Sequence, residues 1–219
     1  MTDGLDRLDS CALSDACDTL GIDPPTISGL GNLTGRRRIA GRAVTVLLGP
    51  SNGEPSSRHL CTAAIEAAGP GDVIVVAHQG RLDCAGWGGN LARAAQARGA
   101  QGTIVDGAVR DVDEAADIAY PVFAKGATPR TARRRAREQA WNVPIEVGGV
   151  IVNPGDLVVA DATGIIVVPA KQAEQVIATA LDIVAKETAM ATDIAAGVPV
   201  SIVMGTNYER LDHGSPPHG

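Results

Sequence analysis

Arg110 and Asp111 stand side by side a few residues after an apolar run, Gly102 to Val105. Earlier in the chain a glycine-rich segment, Gly86-Trp87-Gly88-Gly89, leads into Asn90 and Leu91. Each residue type suits one part of a small ligand. A guanidinium clamps a carboxylate through two parallel N–H···O bonds. One aspartate, completed by waters and substrate oxygens, is an ordinary way to hold Mg²⁺. Glycines let the backbone come close to a ligand, and the first turn of a helix presents unpaired N–H groups at its positive end. Taken singly, each motif has a plainer reading: a strand-to-helix turn without a ligand, or a surface Arg–Asp pair capping a helix. Taken together they match a 2-oxo acid, with its carboxylate on N–H groups and Arg110 and its keto oxygen on a cation at Asp111.

That combination requires the two motifs to meet, and the intervening pattern predicts that they do. Val73 to Ala77 is a continuous apolar run, as expected of a strand buried on both faces. Asn90 to Arg98 is alanine-rich and helical, with Gly99 as its cap, and Gly102 to Val105 is the next buried strand, ending at an Asp106-Gly107 turn. In a parallel α/β unit the start of that helix and the end of the following strand share one edge of the sheet, where open α/β sheets place their ligands.

The remaining elements form the frame. Leu5 to Leu20 is amphipathic and helical, stopped by Gly21, with Asp15 and Asp18 read as a solvated face or subunit contact. Arg38 to Leu48 is a strand with a bulge expected at Gly41. Leu60 to Ala68 and Asp111 to Ile118 are short helices, and Val122-Phe123 is a short strand. Pro144 to Val152 reads as one strand containing Gly148-Gly149. Leu157 to Ala160 and Ile165 to Val168 form a hairpin around Asp161-Ala162-Thr163-Gly164, where Asp161 is a turn former. Lys171 to Ala195 is a long helix closed by Gly197. The arginine run from Arg130 to Arg137 is read as a solvated face, and His59 and His78 as surface or structural residues. Residues 1–211 are expected to form a single catalytic domain of α/β class, and 212–219, with His213 and His218, a flexible tail.

Composition narrows the function. The 219 residues are 45% hydrophobic and only 2% aromatic, with a formal net charge of -6. So few rings disfavour a base-stacking platform, and an acidic chain gains no counterion-release attraction to nucleic acid. No apolar run approaches the roughly 20 residues of a membrane span. Cys11, Cys17, Cys61 and Cys84 form no CxxC pair and Met1 to Ser10 is polar, so a cytoplasmic protein with reduced thiols is expected.

The order and spacing of these motifs resemble the regulator-of-ribonuclease-activity-A-like family, which includes the 4-hydroxy-4-methyl-2-oxoglutarate aldolases. The resemblance rests on Trp87-Gly88-Gly89-Asn90-Leu91, Gly99-x-x-Gly102, Asp106-Gly107-x-x-Arg110-Asp111, Pro121-Val122-Phe123, Gly148-Gly149, Pro154-Gly155-Asp156 and Asp161-x-x-Gly164. Upstream, Ser14-Asp15-Ala16 and Gly41-Arg42-Ala43 also match. It implies a compact layered β/β/α fold of swivelling-domain type, a homotrimer or hexamer, and a site between subunits. It implies that the backbone of Gly88, Gly89, Asn90 and Leu91 binds the pyruvoyl carboxylate, that Arg110 contacts substrate and that Asp111 binds Mg²⁺ or Mn²⁺. The implied activity is retro-aldol cleavage of a 4-hydroxy-2-oxo acid, decarboxylation of oxaloacetate, or both.

One position departs from the family pattern. Many of its aldolases carry an acid where this chain has Gly89, and that side chain helps to order a metal-bound water. Asn90 cannot act as a base in its place. The resemblance also implies an acidic group from a neighbouring subunit's C-terminal region, for which Glu187 is the candidate. The alternatives are a non-catalytic protein that binds a ribonuclease, as some relatives do, and a pathway-specific lyase on another substrate. No S-adenosylmethionine-type loop follows an N-terminal strand, so the methyltransferase label that some relatives carry does not fit.

Overall fold

The computed structural model describes residues 4–35, 37–53 and 58–205. Its helices are α1 (Ser10–Thr19), α2 (Thr62–Ala67), α3 (Gly89–Ala97), α4 (Val112–Asp117), α5 (Ala173–Ala195) and α6 (Val200–Val203). Its strands are β1 (Thr26–Ile27), β2 (Gly31–Asn32), β3 (Ile39–Pro50), β4 (Asp72–Ala85), β5 (Gly102–Val109), β6 (Val122–Ala127), β7 (Ala136–Trp141), β8 (Ile145–Val147), β9 (Val150–Val152), β10 (Leu157–Ala160) and β11 (Ile165–Val168). Nine strands make one sheet in the order β1-β11-β10-β3-β4-β5-β6-β2, with β7 added alongside β3. The central β3, β4, β5 and β6 run parallel, and the flanking pairs are antiparallel.

The layers follow from the alternation of side chains along each strand. In β4, Ile74 and Val76 face a core closed by α2 and α3, through Ala64, Ile65, Leu91, Ala92 and Ala95. Val73, Val75 and Ala77 face the opposite core, which is closed by the β8–β9 hairpin through Ile145, Val147 and Val152. A sheet with a hairpin on one face and helices on the other is the α/β fold with β/β/α layers that the sequence led us to expect. A third core lies where α1 and α5 cover Leu157, Val159, Ile166 and Val168 of the β10–β11 hairpin.

Several local expectations are corrected. The first helix begins at Ser10, capped by the Asp9 carboxylate on the Ala12 N–H, and Leu5–Arg7 is a separate 3-10 turn. Gly41 lies in regular β3, where a Cβ would fall 2.6 Å from the Gly71 carbonyl oxygen. It serves close packing, and the irregularity of β3 lies at Leu47/Leu48 against β7. Asp106-Gly107 does not turn, because β5 continues to Val109. There Asp106 is buried against Lys125 of β6 at 2.7 Å, and Gly107 leaves room for the Arg81 carbonyl of β4. Ladder pairing overrides the local turn preference. Gly148-Gly149 is the turn between β8 and β9, both residues having positive φ, as a two-residue hairpin requires. Residues 212–219, including His213 and His218, lie outside the described residues. Among the described residues no helix is long and apolar enough to cross a membrane.

Candidate active site

The glycine-rich segment runs beside the end of β5 and is laced to it by backbone bonds. Gly86 N–H donates to Ala108 O at 2.8 Å, and Arg110 N–H donates to Trp87 O at 3.0 Å. The two motifs separated in sequence are thereby neighbours, as the parallel α/β argument required. A side-chain contact completes the join: Gly89 N–H donates to Asp111 Oδ2 at 3.0 Å. The approach is close enough that a Cβ on Gly88 would sit 3.0 Å from Asp111 Oδ2 and 3.1 Å from Arg110 Cγ. Glycine at position 88 allows that contact without displacing either side chain.

Asp111 itself is held at φ 58°, in the left-handed region, between the end of β5 and the start of α4. Such a conformation is disfavoured for a residue with a Cβ, though aspartate tolerates it better than most. It is the price of carrying the carboxylate back over the glycine-rich turn. Arg110 Nε lies 3.1 Å from each Asp111 carboxylate oxygen. Both side chains are part-exposed, so this pair contributes little to stability.

All six residues singled out from the sequence, Gly88, Gly89, Asn90, Leu91, Arg110 and Asp111, line one pocket of about 290 Å³. The first intrahelical bond of α3 runs from Ala92 N–H to Gly88 O. The N–H groups of Asn90 and Leu91 therefore lack partners within the helix. Gly89 N–H is engaged by Asp111, so the donors that the helix start leaves open are those of Asn90 and Leu91. Among the described residues no three histidine, cysteine or acidic side chains cluster for a metal. The part-exposed Asp111 carboxylate fits a Mg²⁺-type cation, which keeps several waters and needs only one or two protein carboxylates.

The pocket also contains residues set aside in the sequence. His59 and Arg133 line it. A second pocket, about 400 Å³, shares both and adds Arg58, Arg134 and Arg137. The arginine run is thus the wall of a cleft as well as a solvated face. Only the tertiary pairing of β7 with β3 brings it there, and nothing local signals it.

The other candidates are placed elsewhere. His78 is buried, with Nε2 2.8 Å from Cys84 O. Burial pushes its pKa down, opposed by the hydrogen bond from its ring to the Cys84 carbonyl, and it is structural. Asp15 and Asp18 are exposed on α1, and Glu187 is exposed on α5, which contributes nothing to the lining of either pocket. The four cysteines are unpaired. Burial raises the thiol pKa of Cys17, Cys61 and Cys84, so none of these three is an activated nucleophile.

Comparison with known proteins places the chain among relatives of one family. Residues 10–167 match the family model RraA-like, described as Aldolase/RraA. Protein DlpA of Legionella pneumophila is 32% identical over 86% of this chain, which spans only 30% of that protein's length. A Burkholderia mallei protein with the provisional name 4-hydroxy-4-methyl-2-oxoglutarate aldolase is 37% identical, over 71% of this chain and 94% of its own. The crystal structure of Streptomyces coelicolor RraAS2, described as an unusual member of the RNase ES inhibitor RraA protein family, superimposes with a TM-score of 0.75. It is 31% identical and covers 85% of this chain and 92% of its own.

Proposed function

We propose that this chain, which belongs to the RraA-like (Aldolase/RraA) family, is a carbon–carbon lyase. It releases pyruvate from a small 4-hydroxy-2-oxo acid, with oxaloacetate decarboxylation as a second reaction of the same site. The observation that carries the reading is the bond from Gly89 N–H to the Asp111 carboxylate, which sets the first turn of α3 against Arg110 and Asp111 in one pocket.

Asn90 and Leu91 offer N–H groups, and Arg110 its guanidinium, to the substrate carboxylate. Asp111 holds the divalent cation, Mg²⁺ or Mn²⁺. When bound, the cation supplies a Lewis acid for the negative charge that builds on the 2-oxo oxygen. Breaking the C3–C4 bond leaves its electron pair on the pyruvate half as the enolate. The other half departs as a carbonyl compound once its 4-hydroxyl proton is taken up, and a proton then returns to C3. Loss of CO₂ from oxaloacetate leaves the same enolate. Arg133, shared by the two pockets, suits a distal carboxylate of the substrate. The lyase is expected to work as a homotrimer or hexamer with its site between subunits. A single monomeric species in sedimentation at micromolar concentration would count against that assembly.

The second reading is a non-catalytic regulator that binds a ribonuclease, favoured by the exposed arginines around the larger pocket. One assay separates the two: pyruvate release from a panel of 4-hydroxy-2-oxo acids and oxaloacetate, with Mg²⁺, with Mn²⁺ and with chelator. The lyase gives metal-dependent pyruvate from at least one substrate. Absence of pyruvate across the whole panel counts against this lyase reading, and binding to a ribonuclease then tests the regulator.

A further inference from the structure

We propose that Glu114 is the second carboxylate of the cation site at Asp111, standing in the space that a side chain at position 89 would occupy; this rests on the lyase reading of the site. Gly89 opens α3, and its backbone is not in the left-handed region, so conformation does not demand glycine there. Occupancy does. A Cβ on Gly89 would fall 2.5 Å from Glu114 Oε2 and 3.1 Å from Asp111 Cβ. The Glu114 carboxylate therefore lies against the bare backbone of Gly89, a residue that lines the pocket together with Asp111.

Sequence spacing makes this arrangement possible. Glu114 is the third residue of α4 and Asp111 is the N-cap of that helix, positions whose side chains lie near one another at a helix start. Its ion pair with Arg93 is long, 3.6 Å, and both side chains are 53% exposed. Such a pair is weak and leaves the carboxylate able to accept further bonds. Two carboxylates with the remaining positions held by water is a normal Mg²⁺ or Mn²⁺ arrangement. The chain thus keeps an acid beside Asp111 although position 89 is glycine, delivering it from α4 instead of α3.

The test is a Mn²⁺ titration of the free, full-length protein, read by electron paramagnetic resonance, which needs no turnover. Glu114→Gln is expected to weaken Mn²⁺ binding by about tenfold or more, the usual range for a supporting carboxylate. Arg93→Ala, which breaks only the ion pair, is expected to bind as the wild type does. The paired change Gly89→Asp with Glu114→Ala, where the Cβ no longer meets a carboxylate, is expected to recover affinity relative to Glu114→Ala alone. Wild-type affinity in Glu114→Gln, with binding lost in Asp111→Ala, overturns the role of Glu114 and leaves the lyase reading standing. Equal loss in Arg93→Ala and Glu114→Gln makes Glu114 a helix–helix tie and overturns the proposal as well. Undiminished binding in Asp111→Ala removes the cation site itself, and the lyase reading with it.

Discussion

Two aspartates sit at the ends of buried strands in this molecule, and they are put to opposite uses. Asp161, after β10, accepts from Ser10 N–H at 2.7 Å, Ser10 Oγ at 2.8 Å, Thr163 N–H at 2.8 Å and Gly164 N–H at 3.3 Å. Asp111, after β5, accepts from Gly89 N–H and from the guanidinium of its exposed neighbour Arg110. Asp161 is surrounded by donors that the fold supplies, and it fastens α1 to the hairpin. Asp111 is held in a left-handed conformation beside a pocket, with one partner that can swing away. A carboxylate saturated by the protein is a fastener, whereas one aimed at a pocket and only loosely paired is available to a ligand.

The sharpest way to break this contrast is to remove Asp111. Asp111→Ala is expected to lower metal-dependent turnover by at least about 100-fold, the scale of losing a principal stabiliser of developing charge. Its melting temperature should fall only modestly, because the lost exposed ion pair contributes at most about 1 kcal/mol and the bond from Gly89 N–H about as much. Wild-type pyruvate release from this variant would place the cation elsewhere. Arg110→Lys should have a smaller effect, a fall of at least about tenfold in kcat/KM, because a point charge does not reproduce a planar fork on a carboxylate. Arg110 currently covers both oxygens of Asp111, so its loss should not weaken Mn²⁺ binding by the free protein. Unchanged kinetics with weakened metal binding would reverse the roles, making Arg110 a support for Asp111.

The contrast also explains what could be read in advance. The buried runs at Val73 to Ala77 and Leu157 to Ala160, and the parallel unit around α3, were legible because side-chain periodicity and strand–helix alternation are local signals that the final packing obeys. The meeting of Gly88 to Leu91 with Arg110 and Asp111 followed from that topology. Four features were not legible. Asp106-Gly107 reads as a turn until β4 and β6 pair on either side of it. Asp161 reads as a turn former, which it is, but its partner Ser10 lies at the far end of the sequence. Arg133, just before β7, enters the pocket once β7 has paired with β3. Glu114 was hidden for a related reason: a glycine reads as a missing acid, and only the packing of α4 against the start of α3 shows the space filled.

The smallest expected effect tests the other side of the comparison. Burial pushes the Asp161 carboxyl pKa up, but the bonds from Ser10 N–H, Thr163 N–H, the Ser10 hydroxyl and Gly164 N–H outweigh it, so the folded value lies below the ordinary one. A carboxyl with a lowered folded pKa binds its proton less readily in the folded state than in the unfolded chain. Its stabilising contribution is therefore fully present above the unfolded value of about 3.9 and is lost as pH falls through the lower folded value. Asp161→Asn keeps the size but replaces one acceptor oxygen by a donor facing the Ser10 and turn N–H groups. The expected cost at pH 7 is about 1 kcal/mol, a typical loss for hydrogen bonds to a part-exposed group. Urea unfolding of the wild type and the variant at pH 7 and at pH 3 measures it. The gap between them should narrow at pH 3, and Mn²⁺ affinity at pH 7 should be the same in both, since this carboxylate faces α1 and not the pocket. A gap that persists or widens in acid would mean that the fastening depends on shape and not on the charge of Asp161.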